Sequence, residues 1–319
     1  MEANSGRCMA VDAIPTQELA EVIAAEFGLR PVQLVRISEA SHNSHFIAGT
    51  PSGDVHVTLR DLASKSDTVS ELEAIAQVEA SLQGPTGALV RTNLRNRHGH
   101  FLVSFKADVY LSVREHWGEV CRKQHDVMAL VNTALAHGSA LDQANVGGLR
   151  AWTPSLRYMR PQESLVAMQD RFKSFVFQHT DHRSEPALVS CLDRVSRFIA
   201  KSNRLRLVHG DLAYGNVIAK EGDLYVIDHD CLHQDHPLYD LAHLMLSVSC
   251  KGYFRGAFDR KIGEEFGEAV HHRSQERIDY SALCEVASYV LLKKMALVRS
   301  ACNLFVEERL AILDELNTV

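Results

Sequence analysis

Four polar side chains near the middle of the sequence have the types and the spacing that phosphoryl transfer requires. His209, Asp211 and Asn216 lie in the run His-Gly-Asp-Leu-Ala-Tyr-Gly-Asn, and Asp228 follows a short apolar stretch. In such transfers one carboxylate accepts the proton of the attacking hydroxyl, while an amide and a second carboxylate hold the Mg²⁺ that bridges the ATP phosphates. The protein otherwise contributes positioning and charge neutralisation. The spacing therefore indicates a kinase-type site.

Short apolar stretches on both sides predict the strands that would position these groups. Residues 207–208 precede the polar loop, 217–218 follow it, and 224–227 form the next apolar stretch. The intervening Glu-Gly-Asp at 221–223 is typical of a turn. The polar groups thus stand at strand ends, where an amide and a carboxylate can offer the hard oxygen ligands that Mg²⁺ prefers.

Each residue of this set also has a purely structural interpretation. His209 could be a buried structural histidine, Asp211 a turn former after Gly210, and 228–230 a solvated loop. Only the joint spacing and the strand context favour phosphoryl transfer over these interpretations. Within the set, His209 is predicted to orient its neighbours rather than to carry a proton.

The composition is that of a globular chain with no sign of nucleic-acid or membrane partners. The chain has 319 residues, 46% of them hydrophobic, and a net charge of −6, and its length suggests two domains. Its seven cysteines form no Cys-x-x-Cys pair, as in reduced cytosolic proteins. Residues 1–15 lack the apolar core of a signal peptide, and Lys293 and Lys294 interrupt the longest apolar stretch near the C-terminus. We expect a cytoplasmic protein.

The apolar spacing predicts two regions of different architecture. The first has a helix, three strands, a second helix and two strands, expected at 16–28, 34–37, 45–48, 55–60, 66–82, 88–92 and 100–105. This order predicts a small antiparallel lobe over residues 1–106 with one main helix, and a larger, mainly helical lobe over 107–319. The junction is expected at 105–109, and a cleft between two lobes is a common ligand site.

The segments quoted above resemble the aminoglycoside phosphotransferase and choline kinase-like superfamily, which shares the protein-kinase fold. The resemblance spans roughly residues 30–310 and is strongest over 207–244. There, Pro-Leu-Tyr-Asp-Leu-Ala at 237–242 is similar to the family's D-P-x-x-D-L-A segment, with His236 where Asp is usual. The resemblance implies an α+β, bilobal protein-kinase-like fold and a phosphotransferase that uses ATP and magnesium.

The resemblance also implies roles for individual residues of the catalytic segment. Asp211 resembles the catalytic base that accepts the proton of the substrate hydroxyl. Asn216 and Asp228 resemble the magnesium ligands, and Asp240 resembles a structural anchor of the catalytic loop.

The same resemblance implies that residues of the first lobe bind the nucleotide. Arg60 stands where the family places a Lys or Arg against the ATP phosphates, and its guanidinium can bind phosphate bidentately. Glu71 resembles the helix glutamate that pairs with this cation, and Glu73 is the competing candidate. Phe105 and Ala107 resemble the hinge that meets the nucleotide base through main-chain groups.

The predicted phosphate loop departs from the glycine-rich pattern. Residues 38–44 contain no glycine, so Ser41, His42 and Asn43 would meet the phosphates with short polar side chains. Whether the donor is ATP or GTP stays open.

Three features indicate a small-molecule acceptor rather than a protein. Asp-His-Asp at 228–230 stands where protein kinases carry Asp-Phe-Gly, and only eleven residues separate Asp228 from Asp240. Ala213 occupies the position where Ser/Thr protein kinases place a Lys. Residues 207–245 also contain seven acids and one base, an excess that would attract a cationic acceptor.

The leading hypothesis is an ATP- and Mg²⁺-dependent phosphotransferase that acts on a hydroxyl of a small, cationic molecule. The acceptor would be an aminoglycoside-like antibiotic or another natural product, in antibiotic resistance or in biosynthesis. Three alternatives stay open: a kinase of a homoserine-, choline- or sugar-type metabolite, a compact bacterial Ser/Thr protein kinase, and a non-catalytic nucleotide-binding pseudokinase. The glycine-free loop and Arg60 are the support for the pseudokinase. The oligomeric state is also left open.

Overall fold

The computed structural model describes most of the chain, as two compact units. It describes residues 16–38, 43–62, 68–82, 93–116, 126–144, 161–172, 185–201, 204–220, 222–250, 256–297 and 303–318. The described residues up to 116 belong to the first unit, and those from 126 onward belong to the second.

An antiparallel five-stranded sheet forms the centre of the first unit. Its elements are α1 (Thr16–Phe27), β1 (Gln33–Ser38), β2 (Asn43–Thr50), β3 (Gly53–Asp61), α2 (Val69–Ser81), β4 (Leu102–Lys106) and β5 (Val109–Glu115). The strands are arranged in the order β1-β2-β3-β5-β4, and each neighbouring pair is antiparallel. Alternate residues of β2, including Phe46 and Ala48, are buried, because successive side chains of a strand point to opposite faces. Leu19 and Ile23 of α1 belong to the same core.

Helix α2 is capped and joined to the sheet by its own acidic side chains. Thr68 and Glu71 form a capping box, in which the Thr68 N–H donates to Glu71 Oε2 at 2.7 Å and the Glu71 N–H donates to Thr68 Oγ1 at 3.3 Å. The carboxylate of Glu73 accepts from the backbone N–H groups of Phe101 and Leu102 at 3.0 and 3.1 Å. The helix therefore begins at a fixed residue and is connected to the start of β4.

The second unit is mainly helical and includes two small antiparallel sheets. Its helices are α3 (Val127–Gln143), α4 (Pro161–Arg171), α5 (Glu185–Ala200), α6 (Tyr239–Ser249), α7 (Arg260–Arg273), α8 (Tyr280–Leu297) and α9 (Asn303–Asn317). Its strands are β6 (Arg206–Val208), β7 (Val217–Lys220), β8 (Asp223–Val226) and β9 (His233–Asp235), with β6 paired to β9 and β7 to β8. Helix α8 is buried on most sides and packs against α4 to α7 and α9, as expected of a helix that is apolar nearly all round. Among the described residues, no helix has the length and apolarity needed to cross a membrane.

This architecture confirms the predicted α+β class, with an antiparallel sheet unit followed by a mainly helical unit. The helices predicted at 16–28 and 66–82 and the first three strands are present with slightly shifted ends. The strand predicted at 88–92 lies outside the described residues. Residues 109–115 form β5, a strand that the sequence prediction missed. The predicted boundary between lobes 1–106 and 107–319 falls in the turn before this strand, and as a functional division it stays a prediction.

A buried carboxylate–ammonium pair joins α8 to β9. Asp235 is 0% exposed and Lys293 is 1% exposed, and Lys293 Nζ donates to Asp235 Oδ2 at 2.6 Å. The same oxygen accepts from the Tyr289 hydroxyl at 3.2 Å and lies 3.1 Å from Nε2 of His233. Burial raises the pKa of the Asp235 carboxyl, but the charge of Lys293 outweighs it, and the pKa falls to about 2. The carboxylate is therefore ionised inside the core, where it requires its cation.

We expect Lys293→Met to destabilise the protein by about 3–5 kcal/mol, because it leaves the ionised Asp235 carboxylate buried without its cation. Urea unfolding at pH 7 measures this change. The control is Lys261→Met on α7, where the lysine is exposed, and its effect should stay within about 0.5 kcal/mol. Equal stability of the two variants would show that the buried pair contributes nothing.

Candidate active site

The backbone of the catalytic loop is held by the carboxylate of Asp240. This side chain, at the start of α6, is buried, and it accepts from the N–H groups of His209 at 2.7 Å and Gly210 at 3.0 Å. Burial raises the pKa of Asp240, although the two backbone hydrogen bonds oppose that effect. The two bonds bear out the anchoring role that the sequence indicates, and they fix the residues immediately before Asp211.

Gly210 is required by both its backbone angle and its surroundings. Its φ is +77°, in the left-handed region that side chains disfavour. A Cβ atom at this position would overlap the Cys231 carbonyl oxygen and would lie 2.6 Å from the ring of His233. The loop therefore passes so close to the segment after β8 that only glycine fits.

His209 connects the loop to the end of β8. Its ring is fully buried, and Nε2 donates to the Ile227 carbonyl at 3.0 Å while Nδ1 accepts from the Asp211 N–H at 3.3 Å. These partners assign the neutral tautomer with the proton on Nε2. Burial, with a smaller contribution from His229, lowers the pKa of His209 to about 3. Such a ring orients its neighbours and does not exchange protons near neutral pH, in agreement with the role predicted from the sequence.

Two further buried histidines pack against His209. His137 of α3 lies with its Nε2 2.9 Å from Nε2 of His229, and the rings of His209 and His229 are 4.6 Å apart between centroids. Burial and the proximity of the other two rings lower the pKa of His137 well below its ordinary value. At least two neutral imidazoles are thus packed beneath the catalytic loop.

Asp211 is an ionised carboxylate in contact with two nitrogen groups from distant helices. Lys294 Nζ of α8 donates to Asp211 Oδ1 at 2.6 Å, and Nε2 of His243 on α6 lies 3.4 Å from the same oxygen. The other ring nitrogen of His243, Nδ1, donates to the Leu212 carbonyl at 2.9 Å, which fixes the ring against the loop. Burial raises the pKa of Asp211, but His243 and Lys294 together outweigh it and hold the pKa far below its usual range. Asp211 is therefore available only as an acceptor.

Asn216 and Asp228 stand at the same end of the β7–β8 hairpin. The Asn216 Nδ2 group donates to the Asp211 carbonyl at 2.8 Å, and the Ile227 N–H donates to the Asn216 carbonyl at 2.9 Å. Asp228 follows directly, with an exposed side chain and a φ of +68°. Because the amide nitrogen of Asn216 is used by the loop, its oxygen is the atom that can face a cation. An amide oxygen and an exposed carboxylate fit the ligand preferences of Mg²⁺.

The structure brings two of the predicted nucleotide residues together in the first unit. Arg60 on β3 is 5% exposed and is the direct cross-strand partner of Asn43 on β2. Side chains of directly opposed residues lie on the same face of a sheet. Ser41 and His42 lie outside the described residues, and the nucleotide-binding roles of all four residues stay predictions.

The two candidate glutamates of α2 have different partners. Glu73 accepts from backbone N–H groups at the start of β4, at 3.0 Å from Phe101 and 3.1 Å from Leu102. Glu71 closes the capping box at the beginning of the helix. Both carboxylates therefore accept from backbone N–H groups, and the pairing of Glu71 with Arg60 stays a prediction.

The hinge role implied for Phe105 and Ala107 stays a prediction, and the structure places both residues at the connection between β4 and β5. They flank the tight turn between β4 and β5, in which Asp108 has a φ of +59°. The sheet continues to Glu115, so the chain does not leave the sheet at residue 105. The missed signal is the apolar alternation in Val-Tyr-Leu-Ser-Val at 109–113, which is typical of a strand.

Sequence reasoning also missed Lys294 and His243, which contact the proposed base. Both come from helices far along the chain, and Lys294 is 83 residues from Asp211. One signal was present: two adjacent lysines inside an otherwise apolar helix are costly unless each finds a partner.

Comparison with known proteins agrees with this geometry. A family model described as the phosphotransferase enzyme family (APH) matches residues 33–285. No curated protein sequence matches the chain significantly.

Several solved structures share the fold. The microcompartment-associated aminopropanol kinase has a TM-score of 0.69 at 13% identity, over 95% of each chain. Amicoumacin kinase hAmiN, in complex with AMP-PNP, Ca²⁺ and Ami, has a TM-score of 0.66 at 14% identity, over 95% of this chain and 94% of that one. Aminoglycoside phosphotransferase APH(4)-Ia has a TM-score of 0.65 at 13% identity, over 95% of this chain and 98% of that one. These matches confirm the predicted protein-kinase-like fold.

We expect Gly210→Ala to destabilise the protein by about 3 kcal/mol or more, since it combines a disfavoured φ with an overlap in a packed site. The matched control is Gly222→Ala, which has a φ of +95° but nothing within 4 Å of the added Cβ. It should cost only about 1–2 kcal/mol, from the backbone angle alone. Urea unfolding of both variants checks the difference, and similar losses would argue against the close approach.

We expect the free energy of unfolding to fall as the pH is lowered from 6.5 towards 4.5. His137 and His209 have lowered pKa values when folded, whereas an unfolded histidine titrates near pH 6.5. In this window the unfolded chain binds more protons, so acid favours unfolding, by up to about 1.4 kcal/mol per pH unit for each histidine.

Urea unfolding at a series of pH values measures this slope. His137→Leu should reduce the slope, because one of the two histidines is then missing, while His98→Gln, at an exposed position, should leave it unchanged. A wild-type stability that is flat over this range would contradict the assignment.

Proposed function

The chain belongs to the phosphotransferase enzyme family, and we propose that it transfers the γ-phosphate of ATP to a hydroxyl group of a small molecule, with Asp211 as the catalytic base. The observation that carries this proposal is the position of one ionised carboxylate. Asp211 lies in a loop anchored by Asp240, and its carbonyl accepts from Asn216. That arrangement connects the base directly to the hairpin end that would hold the metal.

In the proposed reaction Asp211 orients the acceptor hydroxyl and accepts its proton while the new oxygen–phosphorus bond forms. A carboxylate with a strongly lowered pKa is a weak base, which suits a transfer in which proton abstraction contributes little and positioning contributes most. His209 and Asp240 keep the loop backbone fixed throughout.

Asn216, through its amide oxygen, and Asp228, through its carboxylate, are the proposed ligands of a magnesium ion. When bound, Mg²⁺ would neutralise negative charge on the phosphates. Asp228 reaches its position through a left-handed backbone angle, which costs about 1–3 kcal/mol at a non-glycine residue. Retention of that strain is consistent with a functional requirement at this residue.

The nucleotide is proposed to meet Arg60, with Glu71 as the partner of that cation and Ser41, His42 and Asn43 near the phosphates. The burial of Arg60 beside Asn43 supports this assignment. ATP is the proposed donor, with GTP as the alternative. Structures of the same fold have been described in complex with AMP-PNP or with ADP.

The acceptor is proposed to be a small cationic molecule, of the aminoglycoside-like or natural-product type. Structures of the same fold include complexes with hygromycin B and with spectinomycin. The acidic excess of the sequence supports this less than its count suggests, because Lys293 and Lys294 pair with Asp235 and Asp211. For an acceptor of this class we propose a role in antibiotic resistance or in biosynthesis. The proposed location of the enzyme is the cytoplasm.

A small amino alcohol is the second candidate acceptor. The aminopropanol kinase, whose TM-score to this chain is 0.69, favours it. This acceptor would place the protein among metabolite kinases rather than among resistance enzymes.

We expect Asp211→Asn to lower kcat for phosphate transfer by about 10²–10⁴-fold, because the amide has no charge and only one acceptor oxygen with which to orient the hydroxyl and receive its proton. ADP release coupled to NADH oxidation, with hygromycin B, spectinomycin, aminopropanol, choline and homoserine as acceptors, measures this change.

Asn216→Ala and Asp228→Ala should raise the magnesium concentration required for half-maximal rate. Asp223→Asn, at an exposed position on the adjacent turn, is the control and should keep wild-type rates. Wild-type turnover retained in Asp211→Asn would contradict the assignment of the base.

A further inference from the structure

The catalytic loop contains no cation of its own. Residues 207–219 include no lysine or arginine, and the only histidine among them, His209, is neutral. The position two residues after Asp211 is occupied by Ala213, which is 2% exposed. Any positive charge at the proposed base must therefore come from another element of the fold.

Helix α8 supplies that charge through Lys294. Its Nζ donates to Asp211 Oδ1 at 2.6 Å, and its side chain is only 18% exposed. Removing an ammonium from water is unfavourable, and fixing a long side chain costs conformational entropy. The preceding residue, Lys293, pairs with the buried Asp235 instead. Two adjacent lysines thus serve two different carboxylates, and only Lys294 reaches the proposed base.

Water still reaches the Asp211 carboxylate, which keeps 21% exposure to solvent, so its charge does not depend on Lys294 alone. A lysine beside a base also weakens it as a proton acceptor, so its presence indicates a requirement other than basicity. In phosphoryl transfer that requirement is charge around the transferring group, since the transition state spreads negative charge over three oxygens.

Lys294 binds the same carboxylate that the acceptor hydroxyl would bind. A hydroxyl bound to Asp211 lies about 2.7 Å from the carboxylate oxygen. The phosphorus that it attacks lies about 3–3.5 Å further on. A contact with that phosphoryl group therefore requires the ammonium, 2.6 Å from Asp211 Oδ1, to lie on the side of the carboxylate that faces the transferring phosphoryl group. Its three N–H donors allow it to contact the carboxylate and a phosphoryl oxygen together.

We propose that Lys294 is a catalytic residue that bridges Asp211 and the transferring phosphoryl group. The inference rests on the phosphotransferase function proposed above. The acceptor oxygen forms its bond to the γ-phosphorus, the bond from that phosphorus to the β,γ-bridging oxygen breaks, and ADP leaves with the electron pair. The hydroxyl proton passes to Asp211, while Lys294 donates hydrogen bonds to the phosphoryl oxygens and remains protonated.

The test compares Lys294→Met, Lys294→Gln and Lys294→Arg with Lys261→Met, which removes an exposed lysine from α7. Steady-state ADP release is measured with ATP and the best acceptor among hygromycin B, spectinomycin and aminopropanol, and also with water as the acceptor. Thermal unfolding of each variant shows whether it is folded. Lys294→Gln keeps a hydrogen-bond donor for Asp211 without the charge, and it replaces Lys294→Met if the latter does not fold.

The inference predicts that the Met and Gln variants lose about 10²–10³-fold in kcat, as on removal of one transition-state donor. The KM for ATP should change little, because the interaction strengthens in the transition state. Lys294→Arg should recover part of kcat, and Lys261→Met should match the wild type. A folded Met or Gln variant with wild-type kcat overturns the inference and leaves the phosphotransferase function standing. An effect that appears only in KM, or a loss of kcat that Lys294→Arg does not recover, also overturns the inference and leaves the phosphotransferase function standing.

A different result would reject the proposed function itself. If the wild type and Asp211→Asn release ADP equally slowly with every acceptor and with water, no transfer depends on the proposed base. The inference about Lys294 then fails together with the proposed function.

Discussion

The bidentate attachment of the Asp240 carboxylate to the backbone of His209 and Gly210 is the constraint on which the rest of the site depends. It fixes two consecutive peptide units, so the orientation of Asp211 is set before any ligand binds. Gly210 must then accept a left-handed backbone beside the Cys231 carbonyl. The Asp240 carboxylate can stay buried at the start of α6 because two backbone N–H donors satisfy its oxygens in place of water.

Charge compensation from a single helix is the second organising feature. Lys293 and Lys294 are neighbours on α8, yet they pair with Asp235 on β9 and Asp211 in the catalytic loop. Successive helical residues point about 100° apart, so one turn of α8 can serve both carboxylates. The Lys293–Asp235 pair lies in the core, and the Lys294–Asp211 pair lies at the proposed active site. The packing of α8 therefore determines the electrostatics of the site as well as the stability of the unit.

The elements that were predicted correctly are those that nearby residues in the sequence determine. The polar loop, the β7–β8 hairpin, α1, α2 and the first three strands follow from spacing and turn residues, whereas Asp240 as an anchor follows from the family resemblance. The contacts of Asp211 with Lys294 and His243 could not be predicted, since they depend on how distant helices pack. The junction expected at 105–109 followed from the count of predicted strands, which omitted β5, although the alternation at 109–113 indicates that strand. A charge count over a sequence window is likewise incomplete, because it does not include the cations supplied from α8.

Asn216 combines two duties in one amide. Its nitrogen donates to the Asp211 carbonyl, which leaves its oxygen as the proposed metal ligand. Replacement by aspartate would turn that nitrogen into a second acceptor facing a carbonyl, and replacement by a hydrophobic residue would remove both contacts. Few substitutions of Asn216 are therefore compatible with the site. An aspartate would add charge for the metal, but the loop that contains Asp211 would have to change its conformation to avoid the repulsion.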